Sequence, residues 1–141
     1  MNRLQLAINI SIEAHNSQYD RGGTSYINHP IYLSLQMDTE EEKIVALLHD
    51  VIEDSNLFTL EELRDWFGNI ITDAVDAITK RKNTKEKYED YLVRVKSNPL
   101  ALKVKLADIS HNLCLDRIPE PDEKYMKMKD KYIKALEFLN S

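Results

Sequence analysis

Four side chains capable of ligand or acid–base chemistry fall within six residues: His49, Asp50, Glu53 and Asp54. On a helical wheel they share one sector, turned away from the apolar residues Ile44, Leu47, Leu48, Val51 and Ile52. A solvated polar face accounts for such a sector in most acidic helices. Two features point further. The three acids stand in the last turn of the helix that the apolar spacing predicts, where the negative end of the macrodipole disfavours each carboxylate by roughly 0.3 to 1 kcal/mol. No Lys or Arg lies between Lys43 and Arg64 to offset them, so a cation from elsewhere is wanted. His49 beside Asp50 also offers an imidazole and a carboxylate to one ion, a mixed set suited to Mn²⁺, Fe²⁺ or Zn²⁺ rather than Ca²⁺.

Further ligands must come from distant segments. His29, in the run YINHP, precedes Pro30, which holds it extended just before the next helix starts. An ordinary helix-start histidine fits that position too. Asp108 lies among Leu106, Ala107 and Ile109 and is expected to be only part exposed. A buried carboxylate must be paired or metal-bound. Pairing with Lys105 at i, i+3 and coordination of a metal remain equally open. Residues 80–87 hold five basic side chains, Lys80, Arg81, Lys82, Lys85 and Lys87, which form either a local anion-binding patch or a solvated loop.

The elements that must carry these residues are helices. Three Gly and four Pro are too few for the tight turns of a sheet protein. The spacing predicts a helix over Glu40 to Glu53, opened by a Thr39/Glu42 capping box, and a second capping box, Thr59 with Glu62, opens a helix ending near Gly68. Thr84 starts another that closes before Asn98. Asn98 and Pro99 are an N-cap and N1 pair for a helix reaching roughly to Arg117, Pro119 and Pro121 break it, and Asp122 to Leu139 forms the last helix. That last helix packs on the domain or mediates self-association, and the oligomeric state is open. Leu4, Leu6, Ile8, Ile10 and Ile12 alternate with polar residues, the period of a half-buried strand, whereas Ala7, Ala14 and the lack of a hairpin partner favour helix.

Composition bounds the rest. A chain of 141 residues is one domain, and Leu, Ile, Val and Phe make up 39 of them, enough for a core. A net charge of −5 excludes the broad basic footprint of a duplex nucleic-acid binder. Cys114 is the only cysteine, so no intrachain disulfide or cysteine zinc cluster can form, and a reducing cytoplasm is expected. No run approaches the ~18 apolar residues of a membrane span, and Met1 to Asp20 lacks the pattern of an export signal.

His29, His49-Asp50 and Asp108, in that order, resemble the HD-domain phosphohydrolase superfamily, and more closely the hydrolase domain of the RelA/SpoT homologues, which degrade guanosine tetra- and pentaphosphate. The resemblance rests on AHNSQYDRGGTSYINHP (Ala14 to Pro30), ALLHDVIEDS (Ala46 to Ser55), TLEEL and FG (Thr59 to Leu63, Phe67-Gly68), VDAITK (Val75 to Lys80) and KLADISHNL (Lys105 to Leu113). It implies an all-α, single-domain HD bundle with a motif core over about residues 7–115 and a C-terminal packing helix over about 122–139. It settles the first segment as helix.

The resemblance also implies that His29, His49, Asp50 and Asp108 ligate one divalent ion, usually Mn²⁺, and that Glu53 and Asp54 orient and activate the attacking water. Asn112 then contacts nucleotide, Lys80 lines the phosphate pocket, Arg21 meets phosphate, and His15, Gln18, Tyr26 and Ile27 shape the pocket or its supporting shell. The implied substrate is a small nucleotide, with no nucleic acid or membrane involved. Departures touch the base side: the family's two consecutive basic residues are here Asp20-Arg21, and its RLHNMRT is here ISHNLCL, with Cys114 and Leu115 replacing an Arg and a hydroxyl. The implied reaction is hydrolysis of guanosine 3′,5′-bis(diphosphate) at the 3′ diphosphate. The alternatives are the same chemistry on another nucleotide, such as a nucleoside monophosphate, and a metal- and nucleotide-binding sensor without turnover. No alarmone synthetase domain is present in the sequence.

Overall fold

The computed structural model describes residues 2–20, 22–114 and 122–141. They form α1 (Arg3–Ala14), α2 (Asn28–Leu35), α3 (Glu40–Leu48), α4 (Val51–Asp54), α5 (Leu60–Phe67), α6 (Asn69–Ile78), α7 (Tyr88–Lys96), α8 (Pro99–Asn112) and α9 (Glu123–Leu139). Among the described residues the only extended pairing is an isolated antiparallel bridge between Tyr19 and Ser25. The expected all-α class holds.

The bundle is organised around α3. Ile44, Val45, Ala46, Leu47 and Leu48 are all buried, so the second half of this helix is apolar on every face and must be enclosed, while its charged first turn stays at the surface. It packs against α1, α2, α6 and α8. A capping box starts it, with the Thr39 side chain accepting from the Glu42 N–H and Glu42 returning to the Thr39 N–H. The same device starts α5 at Thr59 and Glu62. Asn98 caps α8 through Ala101, with Pro99 at the first helical position, and Asp122 caps α9 through Tyr125.

α1 is a helix despite its alternating leucines and isoleucines. Its buried positions are Ala7, Ile10, Ser11 and Ala14, a 3.6-residue stripe built largely from small side chains, while Ile12 is half exposed. α9 lies against α7 and α8 and buries Tyr125, Ala135 and Leu139. No helix among the described residues is long and apolar enough to cross a membrane.

Several local expectations need correction. The helix expected over Glu40 to Glu53 breaks at His49 and Asp50, where Asp50 leaves helical geometry at φ −111°, ψ 1° and the short α4 restarts beyond it. His29 is not extended ahead of a helix. It lies in the first turn of α2, where Pro30 costs no hydrogen bond because its missing N–H would have no intrahelical partner. Thr84 caps no helix: its hydroxyl donates to the Arg81 carbonyl in a loop, and α7 begins at Tyr88. The segment 69–78 carried no assigned element, yet it forms α6, joined to α5 through Gly68 at φ 85°. α8 ends at Asn112, and Arg117, Pro119 and Pro121 lie outside the described residues.

Replacing Thr59 by Ala removes one capping-box acceptor at an exposed helix start. Urea unfolding is expected to show a loss of about 1 kcal/mol, and an unchanged midpoint would contradict the capping assignment.

Candidate active site

The end of α3 delivers His49 and Asp50 to the centre of the bundle, the first turn of α2 delivers His29, and α8 delivers Asp108. One ligand atom each from His29, His49 and Asp50 lies within 4.8 Å of the others. Asp108 joins them, its Oδ1 standing 2.7 Å from His29 Nε2 and 3.6 Å from His49 Nε2. The polar sector inferred from the wheel is graded: His49 is buried at 1% exposure, Asp50 and Glu53 are half-buried and Asp54 is exposed, while His29 and Asp108, from other helices, are buried beside His49. The chain leaves regular helix at Asp50, and His49 just before that turn lies in the interior.

The ring of His49 is fixed by a hydrogen bond from Nδ1 to the Ala46 carbonyl at 2.6 Å. Its Nε2 therefore faces the acids. That nitrogen is buried and makes no hydrogen bond, although Asp50 Oδ2 is 3.0 Å away. An orphaned buried nitrogen between two carboxylates, with a second imidazole beside it, is a mixed donor set that fits a divalent transition-metal ion. The electrostatics agree. Burial opposes charge on His49, yet Asp50 and Asp108 outweigh it and hold the imidazole well above its usual range. Burial alone would raise Asp50, but His49 holds it low; burial would raise Asp108 too, but Lys105, His29 and His49 hold it well below the carboxylate range. This spot favours positive charge.

Of the two alternatives for Asp108, the pairing with Lys105 is observed. Its Oδ2 pairs with the buried Lys105 at 3.1 Å, while Oδ1 faces the histidines. Asn112 also donates to Oδ1 at 3.1 Å, so this residue touches the acid before any ligand. Tyr26 donates to Asp50 Oδ2, and burial followed by the Asp50 charge pushes the phenol far above its usual range, keeping it a donor.

Above the cluster is a cavity of about 170 Å³ whose wall includes Asp50, Glu53, Asp54, Lys80, Asp108 and Asn112. Glu53 is held by one oxygen, which accepts from the Lys80 backbone N–H at 2.9 Å. Lys82 donates to the Glu53 carbonyl, and Gln18 donates to the Asp54 carbonyl at 3.0 Å. Lys82 is thus a nearby cation that the local sequence lacked. Asp54 sits at the rim and is pushed up to about 6, first by partial desolvation and then by Asp50 and Glu53. The Lys80 ammonium lies over the rings of Tyr88 and Tyr91, at 5.5 and 5.9 Å from their centroids. A second cavity of about 300 Å³ shares Lys80 and Tyr91 with the first and is walled by Lys82, Lys87 and Lys131.

Arg81 turns away to pair with Asp76, and Arg94 ties the end of α6 to Glu86 of the same loop. Arg21 lies outside the described residues. Asp20 is not aimed at a ligand through the atom that is accounted for: its Oδ1 accepts from the Gly22 and Thr24 N–H groups and closes the loop. A larger groove of about 580 Å³ between α7 and α9 contains none of the predicted site residues. Sequence reasoning did not anticipate Tyr91 and Tyr132, which reach the inner cavity from α7 and α9 and carry no local signal.

No family model matches the chain. It is 30% identical over 139 residues to a probable GTP pyrophosphokinase of Mycobacterium leprae, an alignment covering 90% of this chain and 17% of that protein. It is 30% identical over 128 residues to the guanosine-3′,5′-bis(diphosphate) 3′-pyrophosphohydrolase of Haemophilus influenzae, covering 82% of this chain and 19% of the relative. The chain therefore spans less than a fifth of the length of these curated relatives. A solved structure of a metazoan SpoT orthologue, described as hydrolysing ppGpp, superposes with a TM-score of 0.81 at 23% identity over 99% of this chain and 85% of that one. The helical arrangement is shared.

Removing one imidazole should empty the cluster of its cation. Elemental analysis is expected to find one equivalent of a transition metal per wild-type chain and less than a tenth of that in His49→Ala, whereas equal metal in both would show that the ion is held elsewhere.

Proposed function

This chain belongs to the HD-domain family of the RelA/SpoT homologues, and from that premise we propose that it is a metal-dependent hydrolase of nucleotide phosphoesters or pyrophosphates. The substrate we assign is guanosine 3′,5′-bis(diphosphate), the metal is Mn²⁺ with Fe²⁺ and Zn²⁺ as the other candidates, and the location is the cytoplasm. The observation that carries this is the convergence of His29, His49 and Asp50 within 4.8 Å, with His49 and Asp50 lining a cavity that also holds Glu53, Asp54 and Lys80.

His29, His49, Asp50 and Asp108 would hold the ion, which when bound lowers the pKa of water and polarises a phosphoryl oxygen. Glu53 is suited to orient the attacking water and take its proton. One of its oxygens is anchored by the Lys80 N–H, so the second is free to accept without the side chain swinging away. Asp54, pushed up to about 6, is the neighbouring carboxylate best able to share that proton. Lys80, with Lys82 and Lys87 behind it, meets the negative charge of the departing diphosphate. Water adds across the bond from the 3′ oxygen to phosphorus, giving pyrophosphate and GDP, or GTP from the pentaphosphate. Asn112 and Arg21 are assigned to nucleotide contact.

The base side favours keeping a second reading, the same chemistry on another nucleotide, because Asp20 spends its Oδ1 on the loop where the family carries a basic side chain. Incubation with Mn²⁺ and a nucleotide panel separates the readings. Pyrophosphate from the bis(diphosphate) supports the assignment, orthophosphate from a monophosphate supports the second, and tight binding without product supports a sensor. Glu53→Gln keeps the acceptor for the Lys80 N–H and should retain the metal, yet lose roughly 10²- to 10⁴-fold in kcat. A fully active variant would remove Glu53 from the mechanism.

A further inference from the structure

The mechanism above gives no task to His111, which lies one turn beyond Asp108 on α8. Its Nδ1 is 2.7 Å from Nδ1 of His29. The two ring planes differ by 8° and the centroids are 4.9 Å apart. So short a nitrogen–nitrogen distance with centroids so far apart places the rings edge to edge, nearly in one plane, across a hydrogen bond. The face of His111 is covered by Tyr32, with centroids 4.2 Å apart and planes 23° apart. His29 and Tyr32 are three residues apart on α2 and so share a side of that helix. α2 thus grips His111 by an edge and a face, while Asp108 of the same α8 meets the opposite nitrogen of His29 at 2.7 Å.

Two facing Nδ1 atoms can share only one hydrogen, and an imidazole binds a cation only through a nitrogen that carries none. If the hydrogen sits on His111, the Nε2 of His29 carries its own and gives it to Asp108. If it sits on His29, donated to His111, the Nε2 of His29 presents a lone pair to the cluster. Both arrangements hold the same number of hydrogens, so the choice turns on the acceptor that His111 offers and on the orientation in which Tyr32 clamps it. We propose that His111 is a positioning residue that holds His29 in the ligating tautomer and ring orientation. The inference rests on the assignment of His29 as a metal ligand.

The test is calorimetric titration of Mn²⁺ into chelator-stripped protein, a readout independent of turnover. His111→Ala is expected to weaken binding about 10- to 100-fold, and His111→Gln, whose amide again offers an acceptor, to recover most of it. Wild-type affinity in His111→Ala, with binding lost in His49→Ala, overturns this inference alone. Retained binding in His49→Ala overturns the metal-site assignment beneath it. Should the Ala variant not fold, ¹⁵N spectra of the imidazoles in the Zn²⁺-loaded wild type decide: hydrogen on His29 Nδ1 supports the proposal, and hydrogen on Nε2 overturns it.

Discussion

An enclosed helix that ends in polar residues sets the terms for the whole molecule. The second half of α3 is apolar on every side, so it can lie only at the centre of the bundle, and its end therefore carries His49 out of reach of water and leaves Asp50 half-buried. A buried imidazole next to buried carboxylates is costly unless charge and hydrogen bonds are matched within a few ångströms. Much of the surrounding architecture meets that demand: the Ala46 carbonyl takes Nδ1, Lys105 takes one oxygen of Asp108, and Tyr26 takes one oxygen of Asp50.

These matches leave one direction unsatisfied. His49 Nε2 has no hydrogen bond, and it faces Asp50 and Asp108 Oδ1 beside His29. Electrostatics pulls a positive charge toward it, and the cavity opening above it sets Lys80 among the carboxylates of Asp50, Glu53, Asp54 and Asp108. A cation held at the floor would offset those carboxylates and, with Lys80 on the wall, would suit a ligand that is negatively charged. That demand for a cation ties the fold to the proposed chemistry more firmly than any single residue does.

The parts of this arrangement legible in the sequence are those set by spacing of three or four residues. The capping boxes at Thr39 and Thr59 and the N-cap at Asn98 stand where the pattern placed them, because each is a local contest between a side chain and free N–H groups. α1 was ambiguous because small residues, Ala7, Ser11 and Ala14, make up most of its buried stripe and carry little hydrophobic signal. The break at His49-Asp50 was illegible because a helical wheel assumes the helix it is testing. At the site, the four proposed ligands were singled out by residue type and by family resemblance. The groups that hold them, Lys105 against Asp108, Tyr26 against Asp50 and His111 against His29, could not be ranked from sequence, because two of these pairs are contacts between distant segments and the third looks like any i, i+3 pair. Asp20 read as a change of pocket charge and is instead occupied, at least by its Oδ1, in closing a turn.

The central claim is that side chains from α2, α8 and the end of α3 converge on one cation. Anomalous diffraction from crystals grown with Mn²⁺ measures this directly. A single strong peak about 2 Å from the nitrogens of His29 and His49 and from oxygens of Asp50 and Asp108 is the predicted result. A peak elsewhere, or none at saturating Mn²⁺ with the four side chains ordered, would contradict it.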